Sequence, residues 1–88
     1  MLRITEEALN GKAARMRLEG QVVGPYVMEV RKSCEKLLNT GRSLVLDMGD
    51  VSFVDRNGVS LIQELISCHV SLVNCSPFLT EQLKEDVS

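Results

Sequence analysis

Three carboxylates stand close together in the middle of the sequence, where they could in principle bind a divalent cation. Asp47, Asp50 and Asp55 offer the oxygen ligands that hard cations prefer. Their spacing follows no calcium-loop pattern, however, and no second group of ligands supports them. We therefore expect no metal site, and we interpret Asp47 as a structural residue that accepts hydrogen bonds from neighbouring turns.

The single histidine, His69, directly follows Cys68, a combination that could serve nucleophilic catalysis or zinc binding. On a strand, adjacent side chains point to opposite faces, which would prevent the hydrogen bond that thiol catalysis needs. A zinc site needs four ligands, and Cys75 supplies only a third. The glycines match neither the phosphate loop nor the dinucleotide fingerprint. We expect no enzyme activity and no cofactor.

The composition narrows the class of partner. The chain has 88 residues, a formal net charge of −2 and 3% aromatic residues, without tryptophan. A surface with little net charge and few stacking side chains argues against nucleic-acid binding. Because no apolar stretch is long enough to span a bilayer and no signal peptide is recognisable, we expect a cytoplasmic protein without direct membrane insertion. Cys34, Cys68 and Cys75, widely spaced and odd in number, fit reduced thiols in a core.

The first half of the chain predicts two strands and a helix. Apolar and charged residues alternate over residues 13–19, which is typical of a half-buried strand. Asn10-Gly11 favours a turn before it, so residues 2–5 are expected to form a short antiparallel partner. Gly24-Pro25 predicts the start of an amphipathic helix, and residues 39–41 predict its end.

The second half predicts two further strands, each followed by a helix. The apolar run at 44–48 is typical of a central buried strand, and Gly49-Asp50 predicts a turn after it. Apolar residues at helical spacing after Gly58 predict a second helix. Residues 70–73 predict a last strand, and Ser76-Pro77 predicts the start of a third helix.

Taken in that order, the elements predict a single α/β domain over residues 1–88, with a small mixed, mostly parallel sheet of about four strands and about three helices.

The stretch 44–59, LVLDMGDVSFVDRNGV, resembles the central motif of the STAS family, the domain of anti-sigma factor antagonists and of sulfate transporter tails. In that family a buried strand ending in Leu-Asp leads through an apolar loop to Asp-Ser-Ser-Gly or Asp-Ser-Thr-Gly, which opens a helix. Residues 18–20 and 72–77 extend the resemblance on both sides, and it implies a STAS-like fold.

The chain departs from the family pattern at the position where relatives are phosphorylated. The hydroxyl residue that follows the loop aspartate in the family is phosphorylated by a partner kinase, but Asp55 is followed here by Arg56 and Asn57. Neither side chain has a hydroxyl group, and Arg56 carries the opposite charge to a phosphate. We expect no phosphorylation at the usual position, with Ser52 and Ser60 as weaker alternatives.

A second departure is the shortness of the chain after the second predicted helix. Relatives carry roughly two further turns and a glycine-rich connection there, whereas this sequence reaches its next apolar run by Val70. The resemblance therefore implies either a shortened second helix or a strand that lacks part of its pairing.

The resemblance implies a regulatory domain that works by protein binding, as the anti-sigma factor antagonists do. Its partner would be a serine kinase that otherwise holds a sigma factor. We expect docking through the loop and helix start over residues 54–62, with Arg56 supplying charge and Val59 an apolar contact. The predicted partner-binding residues are Val54, Asp55, Arg56, Asn57, Gly58, Val59 and Ile62.

Three alternatives remain open at this point. The same resemblance fits the small STAS subunits of bacterial ABC-type lipid transporters, which bind an ATPase through this helix. A small ligand-binding or nucleotide-binding domain would instead need a pocket flanked by Asp50 and Asp55. A purely structural homodimer would self-associate through the same loop. The sequence does not determine the oligomeric state.

Overall fold

Residues 1–85 are described by a computed structural model, and they form one α/β unit. The predicted domain over residues 1–88 ends with residues 86–88, which lie outside the described part of the chain. Within it, four strands and three helices follow one another along the sequence, as predicted. They are β1 (Leu2–Ala8), β2 (Ala13–Val22), α1 (Pro25–Leu38), β3 (Ser43–Val54), α2 (Arg56–Ser67), β4 (Ser71–Val73) and α3 (Pro77–Glu85).

The four strands form one mixed sheet in the order β1-β2-β3-β4. The β1 strand pairs antiparallel with β2, whereas β2 with β3 and β3 with β4 are parallel. A turn held by the Asn10 side chain, which accepts hydrogen bonds from the Lys12 and Ala13 backbone N–H groups at 2.7 and 2.9 Å, joins β1 to β2. The antiparallel partner predicted at residues 2–5 is confirmed, and it extends to Ala8.

The core lies between the three helices and one face of the sheet. Period-two alternation puts Met16 and Leu46 on that face, both fully buried, while Arg15 and Arg17 lie on the opposite face. Helical spacing turns the apolar side of each helix to the same layer. The buried helix residues are Val27, Val30, Cys34 and Leu37 of α1, Val59, Leu61, Ile62 and Leu65 of α2, and Leu79 of α3.

The predicted turn at Gly49-Asp50 is wrong, because β3 continues through it to Val54. Two irregularities in the β2–β3 pairing accommodate these residues. Opposite the β2 step from Arg17 to Glu19, and again opposite the β2 step from Gly20 to Gln21, β3 contains one more residue than β2. Such bulges let a strand with a turn-favouring glycine stay in the sheet while its side-chain alternation changes phase.

The shortness of the chain after the second helix affects β4, not α2. The α2 helix has 12 residues and ends at Ser67, with Cys68 as its C-cap, whereas β4 has only three residues. His69 adopts a left-handed backbone with φ 67°, and the Val70 N–H donates to Leu65 O at 3.0 Å, which closes the helix. Cys68 and His69 therefore end a helix. The sequence analysis had placed them on a strand, and that placement is wrong. No helix within residues 1–85 is long and apolar enough to cross a membrane.

Candidate functional site

The candidate site lies at the edge of the sheet where the parallel strands β2 and β3 both end. Val22 and Val54, the last residues of the two strands, are partners in the ladder. The connection from β2 to α1 and the one from β3 to α2 therefore begin side by side. In open α/β sheets this carboxyl edge is where binding loops converge.

Asp55 joins the two connections through both oxygens of its carboxylate. Oδ1 accepts a hydrogen bond from the Gly58 N–H at 2.8 Å, which caps the start of α2. Oδ2 accepts a second one from the Gly24 N–H at 2.9 Å, at the start of α1. The Asp55 N–H in turn donates to Val22 O at 3.2 Å. One half-buried residue thus fixes the starts of two helices relative to each other.

Gly58 is required because no side chain fits at its position. A Cβ atom there would lie 2.5 Å from Val54 Cγ1 and 2.6 Å from Val22 O. Gly58 has an ordinary helical conformation, so the reason is close packing and not backbone freedom. The glycine lets the first turn of α2 pack directly against the ends of β2 and β3.

The predicted partner-binding residues divide into exposed and buried groups. Arg56 and Asn57 are exposed and Asp55 is half-buried, so these three are accessible at the loop and helix start. Gly58 is buried, and the side chains of Val54, Val59 and Ile62 are buried in the core, exposed by only 1, 2 and 1%. The predicted apolar contact from Val59 is wrong for this structure, because the helical spacing of Val59 and Ile62 turns both toward the sheet.

Phe53 is an exposed apolar residue beside the candidate site that the sequence analysis did not select. It is 43% exposed, two residues before Asp55, while its neighbour Val54 points into the core. The sequence did contain a sign of this exposure, because Phe53 is a single aromatic side chain in a segment whose apolar residues do not alternate regularly. That irregularity reflects the bulges of β3, which only the pairing with β2 reveals.

Arg56 belongs to the cations that take part in none of the ion pairs of the described side chains, together with Arg3, Lys12, Lys32 and Arg42. Ion pairs join Arg15 to Asp47, Arg17 to Asp50, Arg31 to Glu64 and Lys36 to Glu6. Among the side chains that the structure describes, none forms an ion pair with Arg56. Its guanidinium also stands at a helix N-terminus, where the helix dipole disfavours positive charge. A carboxylate from another molecule would neutralise it.

Asp47 has the structural role that the sequence predicted. Its carboxylate accepts hydrogen bonds from the Gly49 N–H at 2.9 Å, from Arg15 Nη2 at 2.6 Å and from Asn74 Nδ2 at 3.1 Å. These three donors, in that order of strength, lower the pKa of Asp47 from 3.8 to about 2. The residue ties β3 to β2 and to the segment after β4.

Both acids that the alternative ligand-binding hypothesis needs are already engaged. Asp50 forms an exposed ion pair with Arg17, and both Asp55 oxygens accept backbone hydrogen bonds. An open groove of about 280 Å³ does exist, but it lies on the sheet face opposite the helices. Its lining is Thr5, Glu7, Arg15, Arg17 and Asp47. That groove is not the predicted pocket between Asp50 and Asp55. Within residues 1–85, no three histidine, cysteine or acidic side chains converge in a way that could hold a metal ion.

The cysteines share neither a site nor a degree of burial. Cys34 is fully buried, and burial raises the pKa of its thiol to about 12. Cys68 is exposed at the end of α2, and Cys75 is half-buried. The prediction of core thiols therefore holds fully for Cys34 and in part for Cys75, which packs against the core, but not for Cys68. Cys68 and His69 lie at the opposite end of α2 from Asp55 and contribute nothing to the candidate site.

Comparison with known proteins agrees with this architecture. The family model of the STAS domain matches residues 9–84. A solved structure of the anti-sigma factor antagonist SpoIIAA in its unphosphorylated form has the same fold, with a TM-score of 0.69 and 21% sequence identity. The similarity covers 93% of this chain and 82% of that one. No curated protein sequence is significantly similar to the chain. The match over most of its length shows that the chain belongs to the STAS domain family.

Proposed function

We propose that this STAS domain is a regulatory protein-binding module of the anti-sigma factor antagonist kind, and that it acts in the cytoplasm without catalysis. Its docking tip consists of Phe53, Asp55, Arg56 and Asn57. The observation that carries the proposal is the position of Arg56. It is an exposed cation without an ion pair among the described side chains, on a helix start that Asp55 holds in place.

The rigidity of the docking tip supports a binding role. Asp55 and Gly58 fix the helix start through a capping hydrogen bond and through close packing against Val22 and Val54. A surface that already has its bound shape loses little conformational entropy on association, which favours affinity. The hydrogen bonds within the loop therefore prepare Arg56 and Asn57 for a partner.

The charge of the docking tip specifies the chemistry of the partner. Arginine binds carboxylates through two parallel hydrogen bonds, and such pairs fix orientation as well as charge. We infer that the partner presents an aspartate or glutamate to Arg56 and an apolar surface to Phe53, which is 43% exposed. A serine kinase that inhibits a sigma factor is the partner class that the proposal favours.

The proposal includes the absence of phosphate control at the loop. The residues after Asp55 are Arg56 and Asn57, which cannot be phosphorylated on a hydroxyl group. Binding is then either constant or controlled from another position. Ser60 is exposed in the first turns of α2, and Ser52 is exposed with its hydroxyl donating to Gly20 O at 3.2 Å. These two serines are the remaining candidates near the tip.

The decisive experiment compares charge reversal at the tip with the same charge change elsewhere. The wild-type domain, Arg56→Glu and Lys32→Glu are used as bait in extracts of the native cell, and captured proteins are identified by mass spectrometry. Lys32 is exposed on α1, away from the tip, and serves as the control. Because like charges at an interface cost several kcal/mol, Arg56→Glu should weaken binding by roughly tenfold or more.

The identity of the captured protein distinguishes the possible partners. A serine kinase that is lost with Arg56→Glu and kept with Lys32→Glu supports the proposal, whereas an ATPase lost in the same way assigns the domain to a lipid transporter. Identical partner profiles for the three baits would exclude this loop as the docking site. Incubation of the domain with ATP and extract, followed by peptide mapping, tests whether Ser52 or Ser60 is phosphorylated.

A further inference from the structure

The outer edge of β1 is a seven-residue strand edge without a strand partner among the described residues. Among residues 1–85, β1 pairs only with β2, and all seven of its residues take part in that ladder. Alternate backbone N–H and C=O groups of β1 therefore face outward without a strand to receive them. The edge at the other side of the sheet, β4, has only three residues. A long unpaired edge is a template for the addition of another strand.

The side chains of β1 carry a charge pattern that is complementary to itself. Arg3, Thr5 and Glu7 lie on the sheet face opposite the helices, and all three are exposed. If a second copy of β1 pairs antiparallel about a two-fold axis through Thr5, each Arg3 lies opposite Glu7 of the other copy. Opposite charges at directly facing positions stabilise an antiparallel pair.

The neighbouring registers lack this complementarity. Centring the pair on Ile4 places Arg3 opposite Thr5, and centring it on Glu6 places the two copies of Glu6 opposite each other. Charged residues on an edge strand commonly block pairing in wrong registers. On β1 these charged residues disfavour the neighbouring registers and favour the register centred on Thr5.

The charges of β2 continue the alternation across the sheet. Within one copy, Arg3 faces Glu19 and Glu7 faces Arg15 in the β1–β2 ladder. In the Thr5 register, each row of the combined sheet would then read acid, base, acid, base, formed by Glu19 and Arg3 of one copy and by Glu7 and Arg15 of the other. No like charges face each other directly in either row.

We propose that two copies of this domain associate through their β1 strands, antiparallel about Thr5, and form one continuous sheet of both copies. The two-fold axis stands perpendicular to the sheet, so the helices of both copies cover the same face. The docking tip lies at the carboxyl end of β3, two strands away from β1. The dimer therefore leaves both tips free, and its existence does not depend on the proposed function.

A cysteine at the symmetry axis tests the register. In a background with Cys68→Ser and Cys75→Ser, Thr5→Cys places two thiols directly opposite each other, with Cα atoms about 4.5–5.5 Å apart, which a disulfide can span. Arg3→Cys is the control, because its two copies would lie about 14 Å apart along the strands. Mild oxidation should give a covalent dimer with Thr5→Cys only. Equal cross-linking of the two variants, or none with Thr5→Cys, would overturn the proposal.

Charge exchange tests the interface without cysteines. Sedimentation equilibrium of the wild type at micromolar to millimolar concentration should reveal a dimer. Glu7→Arg should weaken it about tenfold or more, since it sets arginine opposite arginine. The double variant Arg3→Glu/Glu7→Arg should regain the dimer. Because the double variant keeps the unfavourable contact with Arg15, a general loss of stability would not be rescued.

Two outcomes of the same measurement would contradict the β1 interface. One is a wild-type protein that remains monomeric across the whole concentration range. The other is a dimer that Arg56→Glu abolishes and Glu7→Arg does not, which would place the interface at the docking tip. The milder Glu7→Gln, followed by circular dichroism, confirms that the fold persists while the charge is lost.

Discussion

The carboxylate of Asp55 accepts a hydrogen bond from the backbone N–H of Gly24 at 2.9 Å, joining two positions 31 residues apart in the chain. The other oxygen of the same carboxylate caps α2 through Gly58. The starts of α1 and α2 therefore have a common anchor. The arrangement of this loop is therefore fixed by contacts within the domain.

Removal of the Asp55 carboxylate should destabilise the domain and separate the two helix starts. Asp55→Ala deletes a helix cap and leaves the Gly24 N–H without its acceptor, so we expect a loss of about 1–2 kcal/mol in urea unfolding. Asp55→Asn, which keeps one oxygen, is the control. Hydrogen exchange should show faster exchange at both Gly24 and Gly58 with alanine, but at one of the two with asparagine. Equal exchange in all three proteins would show that the contact does not hold the loops.

Gly58, directly after the docking tip, should not tolerate a side chain. Gly58→Ala brings a methyl group within 2.6 Å of Val22 O and closer still to Val54 Cγ1. Overpacking of this kind costs about 1–3 kcal/mol, which urea unfolding would measure. Gly11→Ala is the matched control, because nothing lies within 4 Å of a Cβ atom there. A similar midpoint of urea unfolding for both variants would disprove the packing explanation.

The Asp47 carboxylate should make stability depend on pH in the acid range. Its pKa in the folded protein, about 2, lies below its ordinary value of 3.8. The folded state therefore binds a proton at Asp47 less tightly than the unfolded state does. The stabilisation from Asp47 is complete above pH 3.8 and is lost as the pH falls toward 2. Asp47→Asn should cost about 2 kcal/mol at neutral pH, and the difference from wild type should shrink on acidification.

Asp50→Asn is the control for that measurement. Asp50 is exposed and pairs with an exposed arginine, Arg17, so its loss should cost no more than about 1 kcal/mol. Denaturant unfolding at several pH values compares the two variants with the wild type. A difference between wild type and Asp47→Asn that stays constant from neutral pH to pH 2 would refute the assignment.

The end of α2 offers a stabilising substitution. His69 has φ 67°, a left-handed conformation that costs a residue with a side chain roughly 1–2 kcal/mol and costs glycine almost nothing. His69→Gly should therefore raise the unfolding free energy by about 1 kcal/mol in thermal or urea unfolding. Asn39→Gly, at the end of α1, is the control because Asn39 has φ −68°. The backbone explanation fails if both glycines have the same effect.

Local signals predicted most of the fold, and the parts they missed depend on pairing between distant segments. The alternation in β2 and the Gly24-Pro25 helix start are properties of neighbouring residues, and both are found in the structure. The turn predicted at Gly49-Asp50 followed the usual preference of these residue types. Whether such residues turn or bulge depends on the register with β2, which no local pattern contains.

The sequence predicted an exposed loop but not which of its side chains are accessible, and its docking role stays a prediction. The loop and helix start around Asp55 and Arg56 were identified correctly as exposed at the carboxyl end of β3. Val59 and Ile62 were assigned to the partner although their helical spacing already indicated burial. Phe53 was missed because a strand of regular alternation would have turned either Phe53 or Val54 inward without indicating which.

The bulges of β3 determine the direction in which the docking tip faces. The β3 strand has 12 residues where β2 has ten, and the two additional residues lie just before the tip. Deleting one residue from 48–52 would reverse the alternation, so that Phe53 would turn inward and Val54 outward. An engineer who wished to redirect the tip would thus have to change the length of the strand. Substitutions in the loop would alter the chemistry of the tip but not the direction in which it faces.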